Sequence, residues 1–318
     1  MKSTRREMIA QTAAVTGSAL LANTMLGGTA QAVESDTSST VSPELRYCLN
    51  TSTIAGHRGK TPIDKEIDLI SAAGYDGIEP WIREIQAYRE SGGKLSDLKK
   101  RLDDRGVQVE GAIGFANWIV DDDARRKRGL EDLKRDMDLV SQLGGTRIAA
   151  PPAGGTNEQL NLDRVAERYA EALKLGKSMG VTPLVELWGP SATLHRLGEL
   201  MYVVVESGDP DAALLLDVYH IYRGGSDFRG LSLVDGAATK ILHMNDYPDI
   251  PREKIGDKDR VYPGDGIAPI PSILRSMISA GFRGVLSLEL FNPTYWEDDI
   301  ENVLAKGLKS MKDAVAQV

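Results

Sequence analysis

Three acidic side chains and one histidine stand at the ends of apolar runs in the second half of the chain. These runs end at Glu186, Asp217, His243 and Glu289. An ionised carboxylate at the end of a buried strand is costly unless a partner offsets its charge. A divalent cation is the simplest partner that all four side chains could share. Oxygen donors with one imidazole suit Mn²⁺, Mg²⁺ or Co²⁺ and are compatible with Zn²⁺, whereas a closed structural zinc site would normally include thiolates.

The elements that must position these side chains follow a repeated pattern of apolar run, loop and amphipathic helix. From residue 45 onwards this pattern predicts eight strands and eight helices in strict alternation. The predicted strands are 47–54, 77–81, 107–115, 147–150, 181–187, 213–219, 240–244 and 284–291. The predicted helices are 62–73, 95–105, 123–143, 162–179, 193–207, 231–238, 269–280 and 297–315. Strands joined by helical crossovers run parallel, and eight such units close into a (β/α)₈ TIM barrel of the α/β class.

A doubly wound open sheet is the structural alternative to the barrel. It would favour a glycine-rich turn after the first strand, and the segment TIAGH at 53–57 does not have that fingerprint. In a barrel the carboxyl ends of all strands share one face, where chemistry is found. Taken singly, each acid could form a salt bridge or cap a helix. Four ligand-type residues at equivalent strand ends favour one shared metal site.

The first residues have the features of an export signal. Arg5 and Arg6 precede a mildly apolar stretch, and Ala30-Gln31-Ala32 fits a small-x-small cleavage site. Polar residues interrupt the stretch, which favours a removed signal over a membrane anchor. We therefore expect residues 1–32 to be a twin-arginine signal peptide that engages the twin-arginine export machinery. Residues 33–44 are expected to form a disordered leader, and residues 45–318 a single barrel domain. We expect the mature protein to lie in the periplasm or to be secreted.

Charge and cysteine content restrict the partners of the mature chain. The formal net charge is −8, and removal of the basic leader makes the remainder more acidic. This acidity argues against nucleic acid and against a membrane surface as partners. A single cysteine, Cys48, allows no intramolecular disulfide. A homo-oligomer is compatible with all of these features.

Six stretches of the chain resemble the xylose isomerase-like barrel superfamily. Within it they are similar to the sugar phosphate isomerase/epimerase group, which includes ketose 3-epimerases and inosose dehydratases. The stretches are GYDGIE at 74–79, LVE at 184–186, LDVYH at 216–220, LHMND at 242–246, PGDG at 263–266 and LSLELFN at 286–292. They span almost the whole chain after the leader. Together they are typical of the superfamily but of no single reaction.

The resemblance implies roles for particular residues. It implies that Glu186, Asp217, His243 and Glu289 bind one divalent metal ion. It also implies that Glu186 and Glu289 lie on opposite faces of a bound sugar as the catalytic proton-transfer pair, and that His220 contacts a substrate oxygen. A metal ion would polarise a carbonyl and acidify the neighbouring C–H. One glutamate would remove that proton and the other would return it, through an enediolate-type intermediate.

The resulting expectation is a metal-dependent sugar isomerase or epimerase that acts on a carbohydrate or cyclitol, with no organic cofactor. A lyase of the same superfamily is the runner-up, either a keto-cyclitol dehydratase or a 3-keto-glycoside β-eliminating enzyme. Ketose epimerases usually carry an arginine shortly after the metal histidine, whereas Arg252 is the first here. A non-catalytic carbohydrate-binding barrel is an alternative of another class. A nuclease on this barrel would need many more ligands than the four histidines supply.

Three further residues are candidates for substrate binding. Trp188, two residues after Glu186, could form an aromatic wall against a sugar, with packing in the barrel as the alternative. His57 follows the first strand and could contact substrate or lie exposed in a loop. Glu79 ends the second strand and could orient substrate or pair with a basic neighbour. The basic loop at 252–260 is expected to be solvated.

Overall fold

Eight parallel strands form one curled sheet in the computed structural model, which describes residues 45–57 and 61–318. The strands are Arg46–Asn50 (β1), Gly77–Glu79 (β2), Gln108–Val109 (β3), Arg147–Ala150 (β4), Thr182–Glu186 (β5), Ala213–Asp217 (β6), Thr239–Met244 (β7) and Val285–Leu288 (β8). Their order is β3-β2-β1-β8-β7-β6-β5-β4. The sheet closes just beyond β3, where the Ala149 amide of β4 donates a 2.9 Å hydrogen bond to the Ala112 carbonyl oxygen. The predicted (β/α)₈ barrel is therefore confirmed.

Helices alternate with the strands and cover the outside of the sheet. They are Ile63–Ala73 (α1), Ile82–Glu90 (α2), Leu95–Arg105 (α3), Asp123–Gln142 (α4), Leu162–Met179 (α5), Leu197–Glu206 (α6), Val218–Gly224 (α7), Ile270–Ser279 (α8), Pro293–Trp296 (α9) and Ile300–Val315 (α10). Three short 3₁₀ segments, Thr51–His57, Phe228–Leu233 and Asp257–Asp259, lie in loops. No helix of the described residues is both long enough and apolar enough to cross a membrane. The predicted signal peptide and leader lie outside the described residues.

The long helices end where their sequences indicate. Gly74 follows α1 with φ 88° and Gly106 follows α3 with φ 66°, both in the left-handed region that glycine adopts without a side-chain clash. Along α1 the residues Ile63, Ile67 and Ile70 are buried on one face. Helical spacing of apolar residues therefore predicted these helices well, because a 3.6-residue period places them on the side that packs on the sheet.

Six of the eight predicted strands were too long at their carboxyl ends. The first was predicted to reach residue 54, but β1 stops at Asn50, whose side-chain oxygen accepts the Ser52 amide at 3.0 Å and turns the chain. The predicted helix at 231–238 was wrong. Instead α7 begins directly after β6, because the Asp217 carboxylate accepts the His220 amide at 2.8 Å and caps it. Helices α2 and α9 were not predicted.

Alternate residues of the strands fill the barrel interior. Eight small or apolar side chains form a cluster of their own, separate from the larger core that includes the helix faces. They are Cys48, Ile113, Ala149, Leu184, Ala213, Leu215, Ile241 and Val285. Side chains two residues apart on a strand share a face. Glu186, Asp217 and His243 each lie two residues beyond a member of this cluster, so they point to the barrel axis above it.

Asp136 on α4 gives a stability prediction independent of the barrel mouth. Burial and the nearby Asp132 carboxylate raise the pKa of Asp136 to about 6, above its unfolded value of about 3.9. The folded state therefore binds more protons between these values, and its stability falls as the pH rises from about 4 to about 6. Asp136→Asn removes this loss. We expect a gain of about 1 kcal/mol in the free energy of unfolding near pH 7, after allowance for partial exposure.

Urea unfolding near pH 7 and near pH 3.5 tests this expectation, since the gain should vanish at the lower pH. Asp138→Asn, an exposed position on the same helix, is the matched control and should change little at either pH. An equal gain for Asp136→Asn at both pH values would contradict the assignment.

Candidate active site

Four neighbouring strands bring the predicted ligand residues to one end of the barrel. Glu186 and Asp217 are the last residues of β5 and β6, and Glu289 directly follows β8. His243 lies on β7, in register with Asp217 on one side and with Ser287 on the other. Residues with no proximity in sequence therefore converge, because parallel strands end on the same face.

Asp217, His243 and Glu289 form a compact, buried group. One ligand atom from each lies within 4.8 Å of the others. The Nδ1 atom of His243 is 3.1 Å from Glu289 Oε2 and 3.5 Å from Asp217 Oδ2. Two carboxylate oxygens and one ring nitrogen thus face a common point, as ligands of a metal ion do.

The hydrogen bonds of His243 show whether a cation fits at that point. Its Nε2 atom lies 2.9 Å from Glu79 Oε2, and Glu79 also accepts from Asn50 at 2.9 Å and from Ser287 at 2.8 Å. A carboxylate behind a histidine holds the ring orientation and leaves the other nitrogen free to bind a metal. Here that nitrogen, Nδ1, is buried and has no hydrogen-bond partner within the described part of the chain. The residues present therefore fit a divalent cation.

The charges around His243 agree with this geometry. Burial disfavours a charged imidazole, but the carboxylates of Glu289 and Glu79 outweigh burial and raise the pKa of His243 well above its usual range. Burial would likewise raise the pKa of Asp217, yet Arg260 and the neighbouring imidazoles hold it well below the usual range. The pocket is thus built for a carboxylate pair with a positive group between.

Glu186, the fourth predicted ligand, lies outside this group of three but lines the same cavity. Its carboxyl group is buried and hydrogen-bonded to the Trp188 side chain. Burial, together with the charges of Glu289 and Asp217, raises the pKa of Glu186 to about 8, although His243 opposes the shift. A carboxyl group with a pKa near neutrality can both give and accept a proton.

Arg260 is the largest departure from the sequence-based expectation. The expectation of a solvated basic loop was wrong for this residue, since only 1% of its surface is exposed. Its Nη1 atom donates to Asp217 Oδ2 at 2.9 Å and to Glu289 Oε2 at 2.7 Å. The loop returns to the barrel because the Asp246 carboxylate accepts the backbone amides of residues 247, 264, 266 and 268. No local feature of the sequence distinguished Arg260 from its exposed basic neighbours.

A cavity of about 340 Å³ is lined at its polar side by Glu289, Glu186 and Arg260. Its wall contains a row of aromatic rings, with centroid separations of 6.0 Å for Phe291–Trp81, 5.0 Å for Trp81–Phe115 and 5.9 Å for Phe115–Trp188. Trp188 lies in this wall. Phe115 was not singled out from the sequence, although it ends the third predicted strand, and it lies beyond Val109, where β3 stops. Aromatic faces with a few polar groups at one end suit a polyhydroxylated ring.

The other predicted substrate-binding residues occupy different places. His220 lines the cavity, its Nδ1 accepting the Gly189 amide at 3.3 Å. Burial lowers the pKa of His220 to about 4, so the ring is neutral near pH 7. Glu79 is fully buried behind His243, where it pairs with that ring. The backbone of His57 ends the first 3₁₀ segment, and its side chain lies outside the described part.

Two asparagines complete the support of the ligands and were missed as site residues. Asn50 Nδ2 donates to Glu79 Oε2 and, at 3.1 Å, to Glu289 Oε1. Asn245 Nδ2 lies 3.2 Å from Asp217 Oδ2. The sequence did carry a signal for both, since each is a polar residue at or just beyond the carboxyl end of an apolar strand.

Comparison with known proteins gives consistent relatives. A family model described as "Xylose isomerase-like TIM barrel" matches residues 67–314. The inosose isomerase of Halalkalibacterium halodurans is 26% identical over 86% of this chain and 96% of its own length. The 3-dehydroshikimate dehydratase of Pseudomonas putida is 23% identical over 78% of this chain and 39% of its own. A solved structure of the IOLI protein with a bound zinc atom superposes with a TM-score of 0.79 at 24% identity, covering 86% of this chain and 99% of that one.

Proposed function

Because the chain belongs to the xylose isomerase-like TIM barrel family, we propose that it is a divalent-metal-dependent isomerase or epimerase of a carbohydrate or cyclitol. One observation carries the proposal above all. The ligand atoms of Asp217, His243 and Glu289 converge within 4.8 Å of one another, and Glu289 also lines the aromatic-walled cavity. The similarity to an inosose isomerase over nearly the whole of both chains supports the same reaction class.

In the proposed site Asp217, His243 Nδ1 and Glu289 hold the metal ion, with Glu186 as the fourth ligand. Carboxylates with one imidazole suit Mn²⁺, Mg²⁺ or Co²⁺, and Zn²⁺ is compatible. The bound ion supplies Lewis-acid polarisation of a carbonyl oxygen and so acidifies the adjacent C–H. Glu79 holds the His243 ring in place through its 2.9 Å contact.

The protein's own groups then move the proton. Glu186 and Glu289 both line the cavity and are the proposed proton-transfer pair. One carboxylate removes the proton next to the carbonyl, and the other returns it to the neighbouring carbon or to the opposite face. Trp188 packs against the ring of the substrate, His220 contacts a substrate oxygen, and His57 is a further candidate contact. The aromatic wall excludes water from the reacting carbon.

A lyase is the second candidate, because one relative is a 3-dehydroshikimate dehydratase. It would share the first proton abstraction and then lose water or an aglycone from the β-carbon. A non-catalytic carbohydrate-binding barrel is the candidate of another class. We also propose that the protein reaches the periplasm or the exterior through the twin-arginine route, where free sugars, cyclitols and keto-glycosides are the accessible substrates.

Isotope exchange tests the proposed function. The protein is loaded with Mn²⁺ and incubated in heavy water with keto-sugars, keto-cyclitols and 3-keto-glycosides, beside a chelator-treated control. Deuterium at the carbon next to the carbonyl, with no loss of water or aglycone, is the expected result. Release of water or aglycone would favour the lyase. Binding without exchange for every compound would move the binding barrel ahead of both.

A further inference from the structure

We infer that Arg260 lowers the metal affinity of this site, because its guanidinium group competes with the metal ion for the carboxylates of Asp217 and Glu289. The inference rests on the proposed metal site but concerns a residue outside the ligand set. Arg260 thereby acts as a built-in counter-cation, which keeps the carboxylate pair neutralised when the ion leaves.

The competition follows from the atoms involved. Arg260 Nη1 contacts Asp217 Oδ2 at 2.9 Å and Glu289 Oε2 at 2.7 Å. These are the same two oxygens that lie 3.5 Å and 3.1 Å from His243 Nδ1. One nitrogen of the guanidinium therefore contacts both carboxylate oxygens that face the proposed ion. Its positive charge offsets part of the negative charge that would otherwise attract the ion.

The guanidinium group is held firmly in this place. Its Nη2 atom donates to Asp257 Oδ1 at 2.7 Å. Its central carbon lies 4.3 Å from the Tyr219 ring centroid and 5.0 Å from that of Phe291. The Arg260 backbone oxygen accepts a 3.0 Å hydrogen bond from Asn292 Nδ2. Because arginine does not lose its proton in proteins, a permanent positive charge stands beside the site.

Two of the three guanidinium nitrogens of Arg260 contact other protein groups, whereas Nε is buried and has no hydrogen-bond partner among the described residues. Nη1 is engaged by two carboxylates, and Nη2 donates to Asp257 and lies 3.3 Å from His220 Nε2. Arg260 is therefore a positioning residue, which acts through the metal ligands. Two electrostatic effects follow from its charge. It repels a divalent cation a few ångströms away in a medium of low dielectric constant, and it stabilises the carboxylates before the ion binds.

The test compares metal affinity in charge-deleting and charge-keeping variants. Mn²⁺ binding to chelator-treated protein is measured by calorimetry for the parent, Arg260→Met, Arg260→Lys and the control Lys258→Met. We expect Arg260→Met to tighten the Kd for Mn²⁺ by about tenfold or more. Arg260→Lys should give a Kd between those of the parent and Arg260→Met, because an ammonium group can carry the charge but lacks the planar guanidinium and loses its proton more readily when buried. Lys258, exposed in the same loop, should have no effect when replaced.

Thermal unfolding provides a second test. Replacement of a residue with a purely structural role would lower the melting temperature equally with and without Mn²⁺. Without metal, Arg260→Met should melt well below the parent, because the carboxylates lose their counter-charge. With Mn²⁺ the difference should shrink, so the gap between loaded and chelated protein widens. An Arg260→Met protein that folds only with Mn²⁺ would also support the inference.

Several outcomes would overturn it. An unchanged or weaker Kd for Arg260→Met, beside normal Mn²⁺ binding by the parent, would remove this inference and leave the metal site standing. A parent that binds no divalent ion would remove the proposed metal site and this inference together. Equal losses of melting temperature with and without Mn²⁺, or a variant unfolded under both conditions, would show that Arg260 serves packing alone.

Discussion

Asp217→Ala is expected to abolish metal binding. The parent should contain about one divalent ion per chain by elemental analysis and the variant none, because a divalent site that loses one of its charged ligands binds poorly. Asp217 is fully buried, its Oδ2 faces His243 Nδ1, and its pKa is held low, so it is a charged ligand at neutral pH. A chelator should lower the melting temperature of the parent but leave that of the variant unchanged.

Two further variants separate loss of the ligand from loss of the fold. Asp217 also caps α7 by accepting the His220 amide. Asp217→Asn keeps a capping oxygen while it removes the charge, so it should lose the metal with less loss of stability. Asp211→Ala alters an exposed acid just before β6, at the opposite end of that strand, and should keep the metal. A parent that holds no ion after reconstitution with Mn²⁺, Co²⁺ and Zn²⁺ would contradict the site.

Glu186→Gln should lower the rate of deuterium exchange by about 10²- to 10⁴-fold on any substrate that the screen identifies. The amide has nearly the shape of the carboxyl group but cannot take up a proton. Glu186 is the proposed fourth ligand, beyond the compact group of three, and glutamine keeps a side-chain oxygen. The metal content of this variant should therefore change much less than that of Asp217→Ala. Exchange rate and metal content are therefore measured on the same preparation.

The matched control for this variant is Glu158→Gln, an exposed acid in the loop after β4, which should exchange at the parental rate. Unchanged exchange in Glu186→Gln would exclude Glu186 from the proton-transfer pair. A parallel loss of exchange and of metal would identify Glu186 as an essential ligand, and the loss of exchange would then follow from the loss of the metal.

Much of the fold could be predicted because it depends on local periodicity. The helix α5, Leu162–Met179, and the strand β4, Arg147–Ala150, have the predicted bounds. Apolar spacing along the helices and uninterrupted apolar runs in the strands reflect which faces are buried, and this information is present in every short window of sequence. Strand ends at the barrel mouth were predicted less well. There side chains such as that of Asn50 turn the backbone through local hydrogen bonds that compete with the sheet.

The sequence by itself determined which strand ends carry ligand-type residues, and the barrel rule then placed Asp217, His243 and Glu289 on one face. Only the tertiary structure decided what surrounds them. Glu79 reaches His243 across the barrel, although 164 positions separate them in sequence. Arg260 enters the site from a long loop whose path is set by Asp246 rather than by any strand. Periodicity reports which face a residue takes within its own element, whereas contacts between distant elements depend on how the closed barrel packs.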